Sequence, residues 1–100
     1  MLWAAENGKL SVVQELCNVN PNLVNARDAD EYTPLHRACY NNHADVVKFL
    51  IDHNAQLNAK TEDGWQPLHS AARWGSFDAA QLLIDTEIVD INATTNGNFP

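Results

Sequence analysis

The sequence predicts an all-α repeat solenoid: helix–turn–helix pairs stacked side by side and joined by hairpin-like turns. Three observations predict it. Pro-Leu-His occurs twice, at Pro34-Leu35-His36 and Pro67-Leu68-His69, 33 residues apart and each time just after an aromatic residue. Apolar residues behind each copy recur at helical spacing, as in Val46, Val47, Leu50 and Ile51. Polar stretches, "DADE", "TEDG" and "TNGN", separate the units. Self-similarity at a fixed period of this size is the mark of a stacked array, in which each unit buries its apolar side only against its neighbours.

The first unit, 2–32, lacks its opening. "LWAAENGKLSVVQELC" lies over "HRACYNNHADVVKFLI", with Val12-Val13 on Val46-Val47 and Leu16 on Leu50; one extra residue precedes Val24-Asn25-Ala26. The second unit is 33–65. Thr33 is a good N-cap and Pro34 a good first helical residue, so a short helix runs from Pro34 to Tyr40. "NNH" turns the chain into a second helix, after which Asn54 suits a left-handed cap. The third unit, 66–99, repeats the plan with "WGS" at the turn and one extra residue after Ile84, bringing Asn92-Ala93 onto Asn58-Ala59. Its cap is Gln66, weaker than threonine by about 1 kcal/mol, which predicts a softer third repeat. Phe99 falls where Tyr32 and Trp65 fall, and Pro100 starts a further repeat. The chain opens inside one unit and stops at the start of another, as a fragment or an incomplete reading frame would. Exposed core edges at such ends predict a soft chain whose first unit frays first.

Composition narrows the function. Thirteen acidic residues against six basic ones give a net charge of −7. That argues against duplex nucleic acid and anionic membrane surfaces and leans toward partners with basic segments. No apolar run approaches the ~18 residues of a membrane span, and "MLWAAENGKL" has no signal-peptide pattern. Cys17 and Cys39 are too few for a disulfide scaffold, which places the chain in a reducing intracellular compartment, cytoplasmic or nuclear.

Several residues invite a chemical reading. His36, Cys39 and His43 stand at i, i+3 and i+7 and are all acceptable zinc ligands, a set that as an enzyme centre predicts bound zinc. Each has a plainer role: motif, small core position and turn, with the short helix ending before His43. Asp28, Asp30 and Glu31 lack calcium-loop spacing and read as a solvated turn. Ser70 follows His69 without nucleophile-elbow glycines. No catalytic residue, metal site or cofactor is assigned. Thr33 and His36 stand at N-cap and N3, so hydroxyl and imidazole can close a capping box, or the ring can reach a neighbouring loop. Cys17 sits at a leucine-like core position of a second helix.

"TPLHRA" and "QPLHSA" at this period make the chain resemble the ankyrin repeat family over essentially all 100 residues. The resemblance implies structural roles for Thr33, Pro34, Leu35, His36, Pro67, Leu68 and His69. It implies a non-catalytic protein-binding module, an adaptor or regulatory scaffold, expected to be monomeric. An alternative is the targeting or regulatory region of a larger enzyme or transcription regulator. Partners dock in this family on a concave face of turn tips and first helices. The corresponding positions are Trp3, Glu6 and Asn7 in the first unit. In the second they are Ala29, Asp30, Tyr32, Arg37, Tyr40 and Asn41. In the third they are Glu62, Asp63, Trp65, Ser70, Arg73 and Trp74. Six of the eight aromatic residues, Phe99 being the sixth, fall on this face, and only Phe49 and Phe77 read as core. Arg37 and Arg73 are placed to stack on aromatic rings, and Asp30, Glu31, Glu62 and Asp63 form an acidic rim. Asn58 and Asn92 hold the loop position where the family is sometimes hydroxylated.

Overall fold

A computed structural model describes residues 1–86, so Asn92, Phe99 and Pro100 lie outside the described residues. The regular elements are α1 (Leu2–Glu6), α2 (Leu10–Val19), a 3₁₀ turn (Pro21–Asn25), α3 (Pro34–Tyr40), α4 (Ala44–Asp52), α5 (Pro67–Arg73) and α6 (Phe77–Asp85). No strand occurs among the described residues. The first helices α1, α3 and α5 pack in a row, and α2, α4 and α6 back them.

Small residues allow this close stacking. Ala4, Ala5, Ala38, Cys39 and Ala71 are buried on the first helices. Val13, Val46, Val47, Leu50, Ala79 and Leu83 fill the layer behind. These helices have 5 to 10 residues and are too short to persist alone, so the stack is what holds them.

The turn inside each pair needs a left-handed residue, supplied in order by Gly8 (φ +67°), Asn42 (φ +56°) and Gly75 (φ +69°). At Gly8 a Cβ would lie 2.7 Å from His43 Nδ1, so only glycine fits. Asn42 tolerates the conformation and uses its side chain, Oδ1 accepting the Ala79 N–H at 3.1 Å. Such ties recur across repeats. His43 Nε2–H and the Asn41 amide both donate to the Glu6 carbonyl, at 2.9 and 3.0 Å. Ser76, at the position of His43, donates to the Tyr40 carbonyl at 3.4 Å. Asn25 spans the next loop, accepting the Gln56 N–H at 2.8 Å and donating to the Asn54 carbonyl at 3.4 Å.

Between pairs the chain makes tight tips, closed by Asp28 N–H to the Tyr32 carbonyl (3.1 Å) and Thr61 N–H to the Trp65 carbonyl (2.9 Å). Neighbouring tips join through Glu62 N–H to the Asp30 carbonyl at 2.9 Å. Each tip has one left-handed residue, Glu31 (φ +67°) and Gly64 (φ +86°). Asn54 is also left-handed (φ +70°) after α4.

Phe77 and Ser70 differ in exposure from the sequence expectation. Phe77, read as core, is 79% exposed. It opens α6 where Ala44 opens α4, on a side of the helix that the core leaves open. Ser70, expected on the binding face, is 4% exposed: α5 packs against α3 and covers so short a side chain.

Candidate protein-binding face

Thr33 closes its capping box fully. Its hydroxyl accepts the His36 N–H at 3.3 Å, while the Thr33 N–H reaches His36 Nδ1 at 3.2 Å. The hydroxyl proton also points at Nδ1, 2.8 Å away. Nδ1 is therefore the acceptor, leaving the proton on Nε2, which donates to the Trp65 carbonyl at 2.7 Å. One imidazole thus caps its own helix and pins the next tip. Burial drives the His36 pKa down to about 4, outweighing the Trp65 hydrogen bond, so the ring is neutral near pH 7.

The third repeat keeps the plan with a poorer fit. Gln66 N–H donates to His69 Nδ1 at 3.0 Å. The Gln66 side chain, although placed at the cap, makes no cap hydrogen bond, and its Oε1 is buried without a partner.

Asp28, expected in a solvated turn, instead organises the first tip. Its Oδ1 accepts the N–H groups of Asp30 and Tyr32, both at 2.9 Å, and its Oδ2 binds Arg37 at 2.7 Å. Burial alone would raise its pKa, but the hydrogen bonds from Arg37, Tyr32 and Asp30 hold it below the usual carboxylate value. An aspartate two residues ahead of the N–H it accepts is a sequence-visible turn signature; counting it only as charge hid it. Thr61 takes the same place in the next tip, its hydroxyl accepting the Trp65 N–H at 3.1 Å.

The aromatic residues of the expected face divide into two sets. Tyr32 and Trp65 are half-buried and meet the rings of His36 and His69 edge-on, with centroids 5.6 and 6.1 Å apart. They brace the tips. Tyr40 and Trp74 are 38% and 51% exposed and lie against each other across two repeats, centroids 4.7 Å apart. Trp3, 63% exposed, stands on α1. The arginines divide likewise. Arg37 covers the Tyr32 ring at 4.8 Å while paired with Asp28 and Glu6. Arg73 lies over Trp74 at 4.8 Å and is exposed. Asp30, Glu62 and Asp63 are exposed at the tips; Asn41 is exposed but its amide is spent on Glu6. Asn58 is exposed in its loop.

The chemical candidates are used up in packing. His36 and His43 give Nε2 to backbone carbonyls of neighbouring repeats. Cys39 and Cys17 are buried, and burial raises both thiols, so neither is a ready thiolate. Among the described residues no three His, Cys, Asp or Glu side chains gather as metal ligands, and no helix is long and apolar enough to cross a membrane. An open groove of about 340 Å³ lies between α2 and α4, lined by Cys17, Asn18, Pro21, Phe49, Asp52, His53 and Asn54. Phe49 borders it, packed on the core and stacked on His53 at 3.9 Å.

Comparison with known proteins follows the same lines. A protein-family model described as "Ankyrin repeats (3 copies)" matches residues 1–95. Ankyrin repeat domain-containing protein 49 of Bos taurus is 53% identical over 58 residues, 58% of this chain and 24% of that protein. Its namesake in Drosophila melanogaster is 46% identical over 55 residues, 55% of this chain and 26% of that protein. The serine/threonine-protein kinase VIK of Arabidopsis thaliana is 41% identical over 58 residues, 58% of this chain and 13% of that protein. The aligned part spans about a quarter of the first two relatives.

Proposed function

The chain belongs to the ankyrin repeat family, a protein–protein interaction module, and from that premise we propose that it binds a partner protein on its concave face without chemistry of its own. The observation that carries this reading is the exposed Tyr40–Trp74 pair, which bridges two repeats with its rings open to solvent. Large aromatic side chains with an arginine alongside are the usual anchors of protein interfaces. Trp3 adds a further exposed ring on α1, and Asp30, Glu62 and Asp63 form an acidic edge suited to a basic stretch of the partner. Arg37, Tyr32 and Trp65 act mainly by holding the tips in shape. The chain works in this reading as a monomeric adaptor or regulatory scaffold in the cytoplasm or nucleus.

The test is affinity capture from cell extract. Wild type is compared with Tyr40→Ala/Trp74→Ala after circular dichroism shows equal helicity. Partners held by wild type and lost by the double variant place binding on this face. Partners retained by the double variant sink the proposal.

The likeness to a kinase supports a second reading, in which the array is the targeting region of a larger enzyme. A full-length reading frame separates the two, since a catalytic domain would stand outside the repeats.

A further inference from the structure

The chain has three arginines, and the structure treats the third differently. Arg27 pairs with Glu31 at 3.2 Å, and Arg37 pairs with Asp28 at 2.7 Å and Glu6 at 3.5 Å. Arg73, the last residue of α5, has no ion-pair or hydrogen-bond partner among the described residues. Its guanidinium carbon instead lies 4.8 Å from the centroid of the Trp74 ring. With a net charge of −7, acids are plentiful. Among the described residues, none of these carboxylates pairs with Arg73.

A guanidinium stacked on an indole presents its N–H groups outward in one plane, the geometry that takes a carboxylate bidentately. Stacking also restricts a side chain that would otherwise lose rotamer freedom on binding. Exposed apolar surface lies beside the cation: the Trp74 ring under it and the Tyr40 ring packed on Trp74. We infer that Arg73 on Trp74 is a receptor for a carboxylate next to an aromatic or aliphatic side chain of a partner peptide, an inference that rests on the binding face proposed above. The carboxylate forks onto Arg73 while the apolar neighbour covers the exposed rings. The tips carry the opposite sign at Asp30 and Asp63, beyond the far end of α5, whose first residue Pro67 is itself about 9 Å from Arg73 at 1.5 Å per residue. The face is therefore electrically polar. An extended segment crossing it is read in one direction, basic at the tips and acidic at the helix turn.

A displayed library of random peptides, selected against the chain and scored by fluorescence polarisation, tests this. Wild type should enrich peptides with Asp or Glu within two positions of an aromatic or aliphatic residue. The best of them should bind Arg73→Gln about tenfold more weakly, and its Glu-to-Lys version should prefer Arg73→Glu over wild type. Peptides that ignore Arg73→Gln yet are lost on Tyr40→Ala/Trp74→Ala would overturn the carboxylate receptor and leave the proposed face standing. Tighter binding when phosphoserine replaces the acidic residue would also overturn the carboxylate assignment. Peptides indifferent to all these variants, or no enrichment at all, would overturn both.

Discussion

Over their described residues the second and third repeats trace the same path, with the same Pro-Leu-His opening but different residues at the cap, the tip and the inner turn. Thr33 caps α3 with a fully used hydroxyl, whereas Gln66 stands at the cap of α5 with a buried, unpartnered oxygen. The tip ahead of the second repeat puts Glu31 in the left-handed region; the tip ahead of the third puts Gly64 there. Asn42 at the inner turn ties itself to Ala79, and Gly75 at the same place has no side chain to do so. In return the third repeat shows solvent an aromatic surface, Trp74 and Phe77, where the second has Asn41 and Ala44. Among the described residues, the polar ties between repeats concentrate on the second repeat, which packs against both the first and the third. The candidate binding surface concentrates toward the third.

Four experiments break or sharpen this contrast. The largest effect is expected for His36→Ala. It removes the Trp65 tie and the cap partner and leaves a cavity, at a cost of about 3 kcal/mol. Urea unfolding with a midpoint unchanged from wild type would contradict the account of the imidazole. Next comes pH. His36 takes its proton at about 4 when folded but near 6.5 when unfolded, so the unfolded chain gains protons first as pH falls. The contribution of this group is flat above pH 7, and stability drops between about 6.5 and 4, by about 2 kcal/mol at pH 5 from His36. Asp28, with its pKa lowered, adds a loss only further into acid. His36→Gln should flatten the step between pH 7 and 5; a step of the same size in that variant would assign it elsewhere.

Gln66→Thr should move the third repeat toward the second, adding about 1 kcal/mol by closing the cap and removing an unpaired buried oxygen. Thermal melts of this variant that fall below wild type would show that the glutamine has a partner the cap account lacks. The smallest change is Glu31→Gly, which relieves a left-handed non-glycine residue and loses an exposed ion pair to Arg27 at 3.2 Å. The two nearly offset, leaving a gain of about 0.5 kcal/mol. A measured loss would mean that the Arg27–Glu31 pair matters more than surface pairs usually do.

Much of the fold was legible in the sequence because its signals are local. A proline after a capping threonine, as at Thr33-Pro34, favours a helix start through the chemistry of adjacent residues alone, and the Pro-Leu-His spacing fixes the register of the units. Asn54 announced its left-handed cap for the same reason. The site was legible only in outline. Ser70 and Arg37 occupy the same position one repeat apart, yet one is buried and the other half-exposed, since a long side chain can leave a packed interface and a short one cannot.

What the sequence by itself determined is the period, the helix starts and the inner turns, because each follows from the backbone needs of a few adjacent residues. What only the tertiary structure decided is which side chains remain available to a partner. Tyr32 and Trp65 turn inward onto histidines, Tyr40 and Trp74 meet across repeats, and Phe77 faces out, although all five are aromatic residues at regular repeat positions. Exposure in a stacked array is set by the neighbouring repeat, and no residue's own helical phase contains that information.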